Sequence, residues 1–70
     1  MKDHFAGSIS FDNDDGEWQD HVITRPEYKD LVTDMKKFMT KRRNSEVFFA
    51  TVVRDGKEID ITERVRVAVE

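Results

Sequence analysis

Tyr28, Leu31, Val32, Met35, Phe38 and Met39 fall at i, i+3, i+4, i+7, i+10 and i+11, the spacing that gathers side chains into one stripe of an α-helix. The stripe predicts a helix from about Arg25 to Arg42. Thr24-Arg25-Pro26-Glu27 reads as its start. Thr24 serves as N-cap, Glu27 completes a capping box, and Pro26 sits in the first turn, where its missing N–H is no loss. Ile23 and Tyr28 stand where a hydrophobic staple would join them. Asp30 and Asp34 lie toward the positive end of the helix dipole, and Lys41, Arg42 and Arg43 toward the negative end. Asn44 is a stop. A helix that is apolar on one side must lie on something, so the flanking segments have to supply a second layer.

They read as strands. Val47 to Arg54 is β-branched and aromatic and ends in Asp55-Gly56, the dipeptide suited to a two-residue hairpin turn because both residues must take positive φ. Such a turn sets Arg54 opposite Lys57, Val52 opposite Ile59 and Ala50 opposite Ile61. One face then holds Phe48, Ala50, Val52, Ile59 and Ile61 and is expected to meet the helix. The other carries Val47, Phe49, Thr51 and Val53 against Glu58, Asp60 and Thr62, and its apolar half is unexplained by two layers alone. Val65, Val67 and Val69 alternate as a last strand, continued or separate. Before the helix, Phe5 to Phe11 and Glu17 to Val22 form two strands about the turn Asn13-Asp14-Asp15-Gly16. The expected fold is α+β: an antiparallel sheet of four or five strands with one amphipathic helix packed on one face, in the order β-β-α-β-β, as a single domain over residues 1–70.

Seventy residues make a marginal core and leave little room for a deep catalytic cleft. With no cysteine there is no disulfide framework, zinc ribbon or thiol nucleophile. His4 and His21 stand alone, without further ligands at metal-like spacing. Ser8, Ser10 and Ser45 lie in no nucleophile motif, and the three glycines form no phosphate loop. The longest apolar run, Val47 to Ala50, is far too short to cross a bilayer. Lys2 and Asp3 follow Met1 without an apolar segment behind them, so a signal peptide is not expected and the cytoplasm is the expected compartment. The expected protein is not an enzyme, needs no cofactor and holds no metal.

Its charge is divided. Residues 1–35 carry nine carboxylates against three cations, and residues 36–70 carry nine cations against six carboxylates. A partner meets the local field rather than the net −3. Asp12, Asp14, Asp15, Glu17 and Asp20 crowd one hairpin. An EF-hand loop centred on Gly16 fails, because Phe11 and Val22 occupy positions that require carboxylates. With Glu27, Asp30 and Asp34, these acids are the expected partner-binding residues, spaced along one side as a mimic of a nucleic-acid backbone would space them. Trp18, Val47, Phe49 and Val53 are the expected dimer interface, since large apolar side chains supply most binding energy there.

Three functions follow. The first is an acidic protein that blocks a basic, nucleic-acid-binding site on another protein. The second, less favoured, is a nucleic-acid-binding module using Lys36, Lys37, Lys41, Arg42 and Arg43 at the helix end with Arg64 and Arg66. The third is a self-associating assembly subunit, and a two-fold homodimer would be compatible with the first. In size, acidic first half and expected architecture, though not in any motif, the chain resembles the small early proteins of lytic bacteriophages that disable host machinery. Some of these are DNA mimics that occupy DNA-binding proteins such as the nucleoid protein HU. The resemblance implies a host DNA-binding protein as partner and the host cytoplasm as the place of action.

Overall fold

The structure, a computed structural model, describes residues 3–13, 15–42 and 44–70. Its elements are β1 (His4–Asp12), β2 (Trp18–Arg25), α1 (Tyr28–Thr40), β3 (Ser45–Arg54), β4 (Lys57–Asp60) and α2 (Thr62–Val69). The strands form one antiparallel sheet in the order β2-β1-β3-β4. The fold is α+β, a four-stranded antiparallel sheet with two helices.

The Asp55-Gly56 turn forms as expected, with φ of 52° and 75°, and sets Arg54 opposite Lys57 and Val52 opposite Ile59. The first hairpin is closed by Asn13, whose Oδ1 accepts the N–H groups of Asp15 at 2.9 Å and Glu17 at 3.0 Å. That side chain acts as a local backbone acceptor, which is why asparagine suits a tight turn.

Three expectations are corrected. First, α1 begins at Tyr28, not Arg25. Thr24 and Arg25 are held in β2 opposite Ala6 and Phe5, so Thr24 is not the cap. The N-cap is Glu27, in extended conformation and without a side-chain cap bond. Second, the order is β-β-α-β-β-α: the valines after Thr62 form a helix, and no fifth strand exists among the described residues. Alternation of Val65, Val67 and Val69 is a period-2 reading, but Ile61, Val65 and Val69 also recur every four residues. The helical reading wins because it buries Val65 fully in the core while Val67 points to solvent. Third, Val47 and Phe48 exchange faces. The β1–β3 register shifts between Ser8 and Ile9, where Phe49 faces Ser8 and Val47 faces Ile9. One extra residue in β3 reverses the side-chain sense of everything before it. Val47 is therefore in the core at 3% exposure, not on the outer face, and Phe48 is 57% exposed.

The core joins Ile9, Ile23, Leu31, Met35, Val47, Ala50 and Val65. Helix α1 contacts β1 and β2, α2 contacts β3, and the helices contact each other. Gly7 lets α1 come down onto the centre of the sheet, because a Cβ there would press on the Sδ of Met35 and stand 2.7 Å from its Cε. Tyr28 meets Phe5 edge-on at 5.8 Å at one end of α1, and Phe38 meets Phe11 at 5.3 Å at the other. The helix thus runs back along the first hairpin.

The Gly7–Met35 contact generates a test. Gly7→Ala should destabilise the protein by about 1–3 kcal/mol through overpacking, read from the urea midpoint. In a Met35→Ala background, where the clashing side chain is gone, the same Gly7→Ala change should cost less than in the parent.

Candidate functional site: the open face of the sheet

Strand alternation and register decide what the uncovered face displays. Opposite the helices lie His4, Ala6, Ser8, Ser10 and Asp12 of β1, and Trp18, Asp20, Val22 and Thr24 of β2. Glu46, Phe49, Thr51 and Val53 of β3 and Glu58 and Asp60 of β4 complete the face. A hydrogen bond from Ser10 Oγ to Asp20 Oδ1 at 2.8 Å spans two of these positions. Small side chains run down the central strand, and Ser8 and Ser10 are buried there. Larger ones rise on both sides: Trp18 and Val22 are 61% and 60% exposed, and Phe49 is 41% exposed. Val22 and Phe49 flank Ser8 directly across the register. The result is a shallow trough along β1 with an apolar wall on each side.

Its paired positions are mostly acidic. Asp12, Asp20, Glu46, Glu58 and Asp60 occupy them with His4, and none carries lysine or arginine. Cations do reach its β3–β4 margin: Arg64 and Arg66 line a groove with Phe49 and Asp60, and Arg66 lines another with Glu46. Lys36, Lys37 and Lys41 line a groove on α1 with Val32 and Ala68. The guanidinium of Arg42 sits over the rings of Phe11 and Phe38, at 4.7 and 4.6 Å, and that of Arg64 over Tyr28 at 4.4 Å. His21 stacks on Phe38 at 4.5 Å. These contacts hold Arg42 and Arg64 against the protein's own rings.

The acids expected to form one surface are divided by the fold. Asp15 and Glu17 are exposed in the first hairpin loop. Asp12 ends β1 and shares a polar cleft with Lys41 and Arg42. Its Oδ1 is shielded from water and has no hydrogen-bond partner among the described residues. Glu27, Asp30 and Asp34 lie at the other end, by the start of α1. Tyr28 and Phe38, which mark the two ends, are about 15 Å apart along the helix. Asp34 is paired with Arg25 at 2.5 Å. Of the expected set, Asp20 stands on the open face and Asp12 at its hairpin end, opposite Trp18. Asp14 and Arg43 lie outside the described residues. Of the expected dimer residues, Trp18, Phe49 and Val53 share that face, and Val47 does not.

Glu46, Glu58 and Asp60 were missed as site residues. Alternation across the Asp55-Gly56 turn already set Glu58 and Asp60 beside Phe49 and Val53. Glu46 was hidden by the extra residue in β3, which has no local sequence signal.

Asp60 is also structural. The Thr62 hydroxyl and then the Thr62 N–H donate to its Oδ1 at 2.5 and 2.9 Å, and the charge of Arg66 adds to them, holding its carboxyl below the ordinary 3.8. No helix among the described residues is long and apolar enough to cross a membrane, and no group of three metal-ligating side chains occurs among them. Searches against protein-family models, curated proteins and solved structures find no match for this chain.

A carboxyl held low in the folded protein stabilises it above the unfolded value, and this contribution is lost as pH falls through the folded value. Asp60→Asn should therefore lower the urea midpoint at neutral pH. The difference from the parent should shrink as pH falls from 3.8 downward.

Proposed function

We propose that the protein is a non-enzymatic binding protein whose open sheet face receives a basic surface of another protein, of the kind that contacts nucleic acid. One observation carries the reading: exposed Trp18, Val22 and Phe49 share a face whose paired strand positions carry five carboxylates and no lysine or arginine, Arg64 and Arg66 reaching only its β3–β4 margin. Apolar side chains supply desolvation energy, while carboxylates at the rim choose the sign of the partner and steer its approach. An arginine side chain suits such a face especially, because its planar cation stacks on an aromatic ring and pairs with a carboxylate. The reading keeps the idea of a DNA-mimic inhibitor and moves its surface from the first hairpin to the sheet.

The nucleic-acid-binding alternative has less support. Lys36, Lys37 and Lys41 remain available on α1, but Arg42 and Arg64 are engaged with aromatic rings, and the acidic sheet face would repel phosphates.

Calorimetric titration with an arginine-rich peptide tests the proposal. The parent should bind, with affinity falling as salt rises. Asp20→Asn/Glu46→Gln/Glu58→Gln should lose about tenfold, the sum of three rim charge pairs of roughly 0.5 kcal/mol each. Asp15→Asn/Glu17→Gln/Asp30→Asn should change affinity much less. The reverse order would overturn the assignment.

A further inference from the structure

The two edges of the sheet are finished differently. On one side β4 is only four residues long, and the stretch of β3 beyond it is closed by α2. Ile61 N–H donates to the Ala50 carbonyl at 2.9 Å, Ala50 N–H to Thr62 Oγ1 at 3.0 Å, and Arg66 Nε to the Val47 carbonyl at 3.2 Å. On the other side β2 runs for eight residues and pairs with β1 alone. All of its residues except Ile23 are exposed. No proline, lysine or bulge interrupts it, and its charged side chains are Asp20 and Arg25, so the edge is lightly guarded.

The direction of its free groups follows from the hydrogen bonds. Asp12 N–H donates to the Asn44 carbonyl, on the β3 side. Main-chain groups alternate along a strand, so the odd-numbered residues of β1 face β2, and the odd-numbered residues of β2 face back. Trp18, Asp20, Val22 and Thr24 then aim their N–H and C=O groups away from the sheet. Arg25 Nη1 reaches the Thr24 carbonyl at 2.7 Å, as an outward carbonyl allows.

We propose that β2 pairs with β2 of a second copy of this chain, antiparallel about a two-fold axis at Val22, to make one continuous eight-stranded sheet. At this register the two Val22 residues exchange main-chain hydrogen bonds on the axis. Asp20 exchanges them with Thr24 of the second copy on either side, and Gln19 lies opposite Arg25. No like charges oppose each other. Both Val22 side chains, each 60% exposed alone, meet on the open face as a cross-strand pair. Stacking two copies face to face through Trp18, Phe49 and Val53 would instead press the carboxylates of one copy's face against those of the other. Pairing along the edge avoids this and doubles the acidic face on one side of the dimer.

The chain has no cysteine, which makes the test direct. Residues opposed in a hydrogen-bonded antiparallel pair have Cα atoms about 5.5 Å apart, within disulfide range. Val22→Cys should oxidise to a covalent dimer, and Phe49→Cys should form no covalent dimer. In sedimentation equilibrium, without any basic partner, the parent should dimerise. Val22→Lys should be monomeric with the parent's circular dichroism spectrum, and Thr24→Lys repeats the test if Val22→Lys fails to fold. A parent that stays monomeric to millimolar concentration, a Val22→Lys dimer as strong as the parent's, or cross-linking through Phe49→Cys in place of Val22→Cys would overturn the proposal. None of these readouts depends on the binding of a basic partner, so the two proposals fail separately.

Discussion

Where β4 ends, the Ala50 backbone makes two bonds that decide the rest of the molecule: its carbonyl accepts the Ile61 N–H and its own N–H finds the Thr62 hydroxyl. The first carries the β3–β4 register one step past Asp60; the second puts a side chain in place of the returning ladder bond, and there the chain turns beneath the sheet on the side where α1 already lies. Val65 can then enter the core beside Leu31 and Met35. With both helices on one side, nothing remains to cover the other. The bare face, its exposed aromatic residues and the closed β3 edge all follow from that turn. An unpaired buried main-chain donor costs roughly 1–3 kcal/mol, so the Thr62 hydroxyl holds the turn by more than local preference.

The charge pattern takes on a different meaning in three dimensions. Along the chain the acids gather in the first half and the cations in the second. In the fold, antiparallel pairing brings Asp20 from the first half onto one face with Glu46, Glu58 and Asp60 from the second. The acidic hairpin loop, by contrast, ends beside Lys41 and Arg42, where its field is partly cancelled. Glu27, Asp30 and Asp34 stand near Arg25, which takes Asp34. The division that matters to a partner is between layers and not between halves.

Much of this was legible in the sequence, for reasons that vary by element. The stripe from Tyr28 to Met39 and the Asp55-Gly56 turn are strong local signals, and both elements formed as such signals require. The start of α1 was misread because Thr24 has the chemistry of a cap, yet pairing with Ala6 gives its backbone a better use. The last segment was misread because valines at spacing two and at spacing four coincide; the helix there depends on a core that exists only after folding. The extra residue at Phe48 is likewise non-local, fixed by the register against β1. Each misreading concerned a tertiary preference that overrode a local one. The acidic, half-apolar face was visible in part from the alternation of Phe49, Thr51 and Val53 with Glu58 and Asp60.

The central claim is that the open sheet face, and neither the hairpin loop nor the cationic side of α1, is the binding surface. Amide and indole resonances followed by heteronuclear NMR during titration with an arginine-rich peptide test it most directly. The account predicts that shifts concentrate at Trp18, Asp20, Val22, Glu46, Phe49 and Glu58, with the Trp18 indole among the largest. Shifts concentrated at Asp15, Glu17, Glu27 and Asp30, with the sheet face unmoved, would contradict it.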